Sequence, residues 1–153
     1  MADAFDNPEL MNALADLEVA LETPFVPGEL ESWAQDVQRA LVRVDPLLRK
    51  QISEVNAAML EEIETEDAGL LSRVADLRER DQKSLSELET LLRTLGTLNE
   101  IAGEVEPDET KLKSQLDELA RSGLALVISV RTQLVSLRTW LQEAFDRDRG
   151  TVD

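Results

Sequence analysis

The 153-residue chain contains no histidine, no cysteine and no tyrosine. Without cysteine there are no disulfides and no thiolate metal sites. Without histidine, the commonest general base and the commonest metal ligand are both missing. No apolar run approaches the roughly 18 residues that read as a membrane span, and the first residues lack the basic-then-apolar pattern of a secretory signal. The expected compartment is therefore the cytoplasm. Positive charge is scarce: 16 Lys and Arg against 32 Asp and Glu give a net charge of −16. That balance argues against nucleic acid and anionic membrane as partners, since both reward clustered Lys and Arg. The acidic residues read as the solvated coat of helices, with a basic protein partner as the sharper alternative. Proline and glycine are also few, at 5 and 6. With Leu, Ala, Glu and Arg abundant, the chain reads as one all-α domain large enough for a sizeable core.

What is present is helical periodicity. The longest pattern runs from Asp108 to Arg149. Its seam, read in steps of four and three, is Leu112, Leu116, Leu119, Gly123, Leu126, Val130, Gln133, Leu137, Trp140 and Ala144. Leu124, Val127, Leu134, Leu141 and Phe145 widen it into a stripe suited to more than one neighbour. A first long helix is expected from about Pro27 to Thr65, with seam Leu30, Ala34, Val37, Leu41, Val44, Leu48, Gln51, Val55 and Ala58 and with Ile52, Met59 and Ile63 beside it. Pro46 lies inside it and should kink the helix or split it at Asp45. A second long helix runs from about Asp67 to Ala102, with seam Val74, Leu77, Asp81, Ser84, Leu88, Leu91, Leu95 and Leu98.

Residues 1–26 form an N-terminal arm ahead of the bundle domain, 27–153. Residues 1–5 carry no pattern and are expected to fray. Asp6-Asn7-Pro8-Glu9 then starts a short amphipathic helix, with a capping side chain, proline in the first turn and early negative charge; Leu10, Leu14, Leu17 and Leu21 lie on one face, and it ends near Glu22. Short connections at 66–69 and 103–107 force neighbouring long helices to run antiparallel. The expected architecture is an elongated antiparallel bundle of three long helices, with the short N-terminal helix as a fourth.

Every long seam has a polar interruption: Gln51, Asp81 with Ser84, and Gln133. Counting across the turns places them together. Position 51 lies about fifteen residues before the turn near 66, and 81 about fifteen after it; 81 projects across the turn near 106 to about 132. These residues should form one buried polar layer. Such a layer either fixes register, since slipped pairings would strand its members, or serves as a site.

The residues around that layer resemble a bacterial branch of the hemerythrin-like proteins. Leu48-Arg-Lys-Gln51-Ile-Ser-Glu-Val-Asn56 stands where that branch has a His-x4-Glu-type motif. Asp67-Ala-Gly-Leu-Leu71 and Val74-Ala-Asp-Leu77-Arg-Glu-Arg-Asp81 stand where it has Gly-Leu-Leu and then Leu-x-x-Glu-His. Gln133-Leu134-Val-Ser-Leu137 replaces its His-Glu-x-x-Glu, while Leu141-Gln-Glu-Ala-Phe145 and Asp148-Arg-Gly150 keep its later pattern. The likeness covers about residues 28–153. It implies a hemerythrin-like four-helix bundle whose two-iron centre has been lost. Gln51, Asp81 and Gln133 stand in place of His, and Asn56 and Leu137 in place of carboxylates. One carboxylate among amides falls far short of the donors such centres need, so no cofactor, no metal and no oxygen chemistry is implied.

Other chemistry finds little footing. Glu54, Glu61, Glu62, Glu64, Glu66 and Asp67 crowd one helix end without calcium-loop spacing, so they read as a solvated end. Serines 84, 114, 122, 129 and 136 have no His and no Ser-x-x-Lys motif to activate them. Gly96 and Gly103 are isolated and make no phosphate loop. Trp33 and Trp140 lie on seams and read as packing near the bundle end, ahead of a binding platform.

The preferred reading is a non-catalytic helical-bundle interaction or regulatory module, a homo-oligomer or the binder of another protein. The N-terminal helix covers about half the bundle, and an apolar groove is expected beyond it. The alternative is a small-ligand sensor using the polar layer.

Overall fold

In the computed structural model, residues 7–150 are described, with side chains over 7–147. The expected frayed segment 1–5 and the side chains of Asp148 and Arg149 lie outside that range. Among the described residues five α-helices form: α1 (Pro8–Glu22), α2 (Leu30–Lys50), α3 (Ala57–Glu66), α4 (Leu71–Ala102) and α5 (Glu109–Gly150). One turn of π-helix, Gln51–Asn56, joins α2 to α3 without a break, and a short 3-10 turn, Ala68–Leu70, leads into α4. The described residues thus make four helical rods, with no strand among them.

The ends follow local chemistry. Asn7 caps α1, its Oδ1 accepting from the Leu10 N–H at 3.2 Å, with Pro8 in the first turn where its missing N–H costs nothing. Asp67 accepts from the Gly69 N–H at 2.9 Å, and Asp108 from the Lys111 N–H at 3.2 Å. The first long helix begins at Leu30, three residues later than expected, because Gly28 turns the chain at φ 89°. That is a left-handed conformation natural only to glycine. Pro46 does not split α2, which continues through it to Lys50.

Beyond Lys50 the expected seam fails, and the π turn is the reason. Val55 is only half-buried and Ala58 is exposed, whereas Asn56, Met59, Leu60 and Ile63 are buried. Five residues of α-helix rotate a side chain by about 140°. The wider π turn, with i→i+5 bonding, brings Gln51 and Asn56 onto one face and advances everything after it.

Named contacts fix the packing. Between α1 and α2 they are Asp16–Arg43 at 2.7 Å and Trp33 Nε1 to the Thr23 carbonyl at 2.7 Å, with Asn7 meeting Gln51 at 2.6 Å beyond. Residue numbers fall along one rod as they rise along the other. Gln38–Asn99 at 2.6 Å and Arg49–Glu89 at 3.3 Å do the same for α2 and α4. Arg131 of α5 pairs with Glu18 of α1. Phe25 meets Trp33 edge-to-face at 4.9 Å, so it closes that end of the bundle, while Val26 stays exposed.

The apolar residues fall into two cores. One joins all four rods and includes Leu10, Leu14, Leu17 and Leu21 of α1 with Leu41, Leu48, Leu88, Leu95, Leu116 and Leu126. The other joins three: Met59, Leu60 and Ile63 of α3, Leu70, Val74 and Leu77, and Leu137, Leu141 and Ala144 of α5. Each α1 leucine contributes about 1.5–3 kcal/mol by burial. That burial holds a helix which, at 15 residues, would be marginal alone. The groove expected beyond α1 is not open there. The second core closes on itself, with Val55, Trp140 and Phe145 packed against its edge.

Gly123 of α5 faces Leu21 of α1, and a Cβ there would stand 2.7 Å from Leu21 Cδ1. Alanine gains about 1 kcal/mol of helix propensity at such a site but overpacks Leu21 by about 1–3 kcal/mol. Gly123→Ala should therefore be neutral or destabilising in the wild type and stabilising in a Leu21→Ala background. Urea denaturation of the four proteins of this cycle checks it, and additive effects would show that the two residues do not meet.

Candidate functional site

Gln51, Asn56, Asp81, Ser84 and Gln133 are the buried polar residues, each at most 4% exposed. They lie between the two cores: Leu48, Ile52, Leu88 and Val130 belong to one side, Met59, Leu77 and Leu137 to the other. The layer is thus the level at which four-rod packing gives way to three-rod packing. Gln51, Asp81, Ser84 and Gln133 all stand in it.

Hydrogen bonds order the layer. Asn7 Nδ2 donates to Gln51 Oε1 at 2.6 Å, and Gln51 Nε2 donates to Asn56 Oδ1 at 3.0 Å. Asn56 Nδ2 in turn donates to both Asp81 carboxylate oxygens, at 3.3 and 3.2 Å. From the far side, Gln133 Nε2 donates to the Leu77 carbonyl at 2.7 Å. Turning that amide over would set oxygen against oxygen, so its orientation is fixed and Gln133 Oε1 is left buried without a partner.

Asn56 is the member that counting seams missed. Five residues after Gln51 it belongs on another face of an α-helix, and nothing in the periodicity signals the π turn that brings it round. Its amide among apolar neighbours, and its place in the resemblance, were the available signals. Asn7 belongs to the helix start read from sequence, and its bond to Gln51 depends on where α1 docks.

Burial pushes the Asp81 carboxyl up from 3.8 to about 6, against the hydrogen bonds from Asn56 and Gln133, which favour the anion. The folded state therefore binds this proton more tightly than the unfolded chain. Its contribution to stability is complete below the unfolded value, fades between about pH 4 and 6, and is gone above. That displacement corresponds to at most about 3 kcal/mol. Stability should accordingly rise as pH falls from 7 towards 5. Asp81→Asn, neutral at every pH, should raise the melting temperature at pH 7 and flatten that rise. Calorimetry across the range checks both, and an unchanged pH response in the variant would assign it to other carboxyls.

A cavity lined by Leu48, Ile52, Asn56, Asp81, Ser84, Val130, Gln133 and Leu134 leaves about 10 Å³ for the centre of a water molecule. That admits about one water and leaves no space for the small organic ligand that a sensor built on the layer requires. Nor does the donor set fit a two-iron centre. It offers one carboxylate, engaged by Asn56, and amide oxygens of which Gln51 and Asn56 are already spoken for. Among the described residues no group of three or more acidic, His or Cys side chains converges to hold a metal ion. In the acidic end of α3, Glu64 pairs with Arg78, and Asp67 pairs with Arg147 at 3.0 Å.

A second concave feature lies on the surface between α4 and α5. It encloses about 530 Å³. Leu91, Leu98 and Leu119 form its floor, Ser86, Thr90, Thr94, Ser122 and Ala125 its small-residue walls, and Glu87 and Glu118 its charged edge. Among the described residues no helix is long and apolar enough to cross a membrane.

No protein-family model, no curated protein and no solved structure matches this chain. The geometry of the layer and the groove carries the functional reading alone.

Asn56 is the hub of the layer, since it both accepts from Gln51 and donates to Asp81. Asn56→Leu should therefore strand two buried groups, at about 1–3 kcal/mol each. Gln133→Leu removes an amide whose oxygen is already unsatisfied, and should cost less. Urea titrations of the two variants settle the order, and the reverse order would place the hub elsewhere.

Proposed function

We propose that this protein is a cytoplasmic, non-catalytic interaction or regulatory module. Its architecture is an antiparallel bundle of divergent hemerythrin-like descent whose metal ligands have been replaced. The polar layer, at the level where relatives hold metal, supports that descent. The observation that carries the interaction reading is the groove between α4 and α5. Its length from Ser86 to Leu98 is about 18 Å along the helix axis, which matches three turns of a docked helix. Serine, threonine and alanine walls let a partner backbone approach closely, and the leucine floor supplies apolar contact. Glu87, Glu118 and the net charge of −16 favour a partner helix carrying Lys or Arg over a second copy of this chain.

The test uses two arginines set into the walls, Thr90→Arg with Ser122→Arg, both at exposed positions. Light scattering from about 1 μM to 1 mM spans affinities worth binding in a cell. A dimer that these changes dissociate, with circular dichroism and melting temperature unmoved, makes the partner a second copy. A monomer that binds basic amphipathic helical peptides, and loses them in the variant, makes it a basic helix. A monomer for which the variant changes no peptide binding removes the groove from the reading.

A further inference from the structure

The first turn of α1 ends at the polar layer, and one side chain belongs to both. Asn7 Oδ1 caps the helix by accepting from the Leu10 N–H, which turns its Nδ2 towards Gln51. At the other end of the chain of amides, the Asp81 carboxylate can only accept, which turns Asn56 Nδ2 towards it. Both ends therefore impose the same direction on the bonds between them, and every amide in the series donates towards Asp81. Such a series is cooperative, and its strength depends on the anion that terminates it.

We propose that this hydrogen-bond series is a proton-operated latch on α1. Anionic Asp81 holds the first turn of the helix onto the layer, and protonation of Asp81 loosens that turn. When one carboxylate oxygen takes a proton from solvent, the bond from Asn56 loses its charge assistance. The new O–H donor needs an acceptor, and Asn56 presents only its N–H₂ group. Gln133 Oε1, on the opposite side and without a partner, is the acceptor the layer holds in reserve, reached directly or through the one water the cavity admits. The proton thus weakens the bond of Asp81 towards the α1 side of the layer and gives its new donor an acceptor on the α5 side, where Gln133 already donates to the anion.

No second titratable group shares the cavity. Asp81 is the one ionisable residue among those lining it, where α2 contributes Leu48, the π turn Ile52 and Asn56, and α5 Val130, Gln133 and Leu134. The charged groups around it on the packed elements sit towards the surface: Arg49 of α2 with Asp45 and Glu89, Glu64 of α3 with Arg78 of α4, and Arg131 of α5 with Glu18 of α1. Arg80 and Lys83, beside Asp81 on its own helix, are exposed. Desolvation places the transition near pH 6, within reach of ordinary buffers.

The latch has a signature that general acid stabilisation lacks: α1 loosens while the rest of the bundle tightens. Native-state hydrogen exchange on the full chain at pH 7 and pH 5, expressed as protection factors, reads both at once. Protection over Leu10–Leu17 should fall about fivefold at pH 5, the difference between a charge-assisted and a neutral bond. Protection in α4 and α5 should rise. Asp81→Asn should show the low α1 protection at both pH values. Asn7→Ser keeps a capping oxygen but cannot reach Gln51, so its α1 protection should no longer respond to pH while its core still does. The latch is overturned if wild-type α1 protection is constant or rises in step with the core. It is equally overturned if the α1 response survives in Asp81→Asn, which would assign it to the Glu18–Arg131 and Asp16–Arg43 pairs.

Discussion

A buried carboxylate must be given hydrogen-bond donors, and the middle of this bundle is arranged around meeting that need. Asp81 lies inside a leucine-rich interior, where an unpaired charge would be expensive. Asn56 supplies the donor. For Asn56 to face inward the helix must widen by one residue, so the π turn at 51–56 follows from the same requirement. The widened turn then sets which side chains of α3 enter the second core. The composition of that core is thus tied to a polar contact outside it.

The layer also explains why one chain builds two kinds of packing. On one side α1 completes a four-rod core, and on the other three rods close without it. A continuous apolar seam would allow the rods to slide past that junction in steps of a turn. The amide series forbids it, because any slip separates Asn7, Gln51, Asn56 and Asp81 from one another. The layer can be a register device and a site at once: the same bonds that fix the rods in place end on Asp81, the one buried ionisable group among the described residues.

Much of this was legible in the residues, and the exceptions along α2 and α3 trace to the π turn. The α4 and α5 seams match the buried residues closely, because nothing interrupts their 3.6-residue period from Val74 to Leu98 or from Leu112 to Leu137. Gln51, Asp81, Ser84 and Gln133 could be placed at one level because counting across short turns is insensitive to errors of a residue or two. Val55 and Ala58 depart from the expected seam, and Asn56 enters the interior from outside it, because periodicity assumes a constant turn and a π turn violates it locally. The space beyond α1 is filled by Met59, Leu60 and Ile63, of which only Leu60 lies off the stripe that the periodicity marks. Gln133 Oε1 and the second bond of Asn7 are properties of docking and of amide orientation, and no pattern along the chain encodes either.

The π turn has a further meaning as a matter of chain length. Wider by one residue than the α-helical turn it replaces, it is indistinguishable in geometry from a single-residue insertion into an otherwise regular rod. Shortening the segment by one residue would restore an unbroken α-helix from Leu30 to the end of α3 and withdraw Asn56 from the interior. The acceptor opposite it would then face hydrocarbon. A one-codon change of length in this stretch is therefore a lever between two interiors, one whose carboxylate at the waist has its donor and one whose carboxylate has lost it.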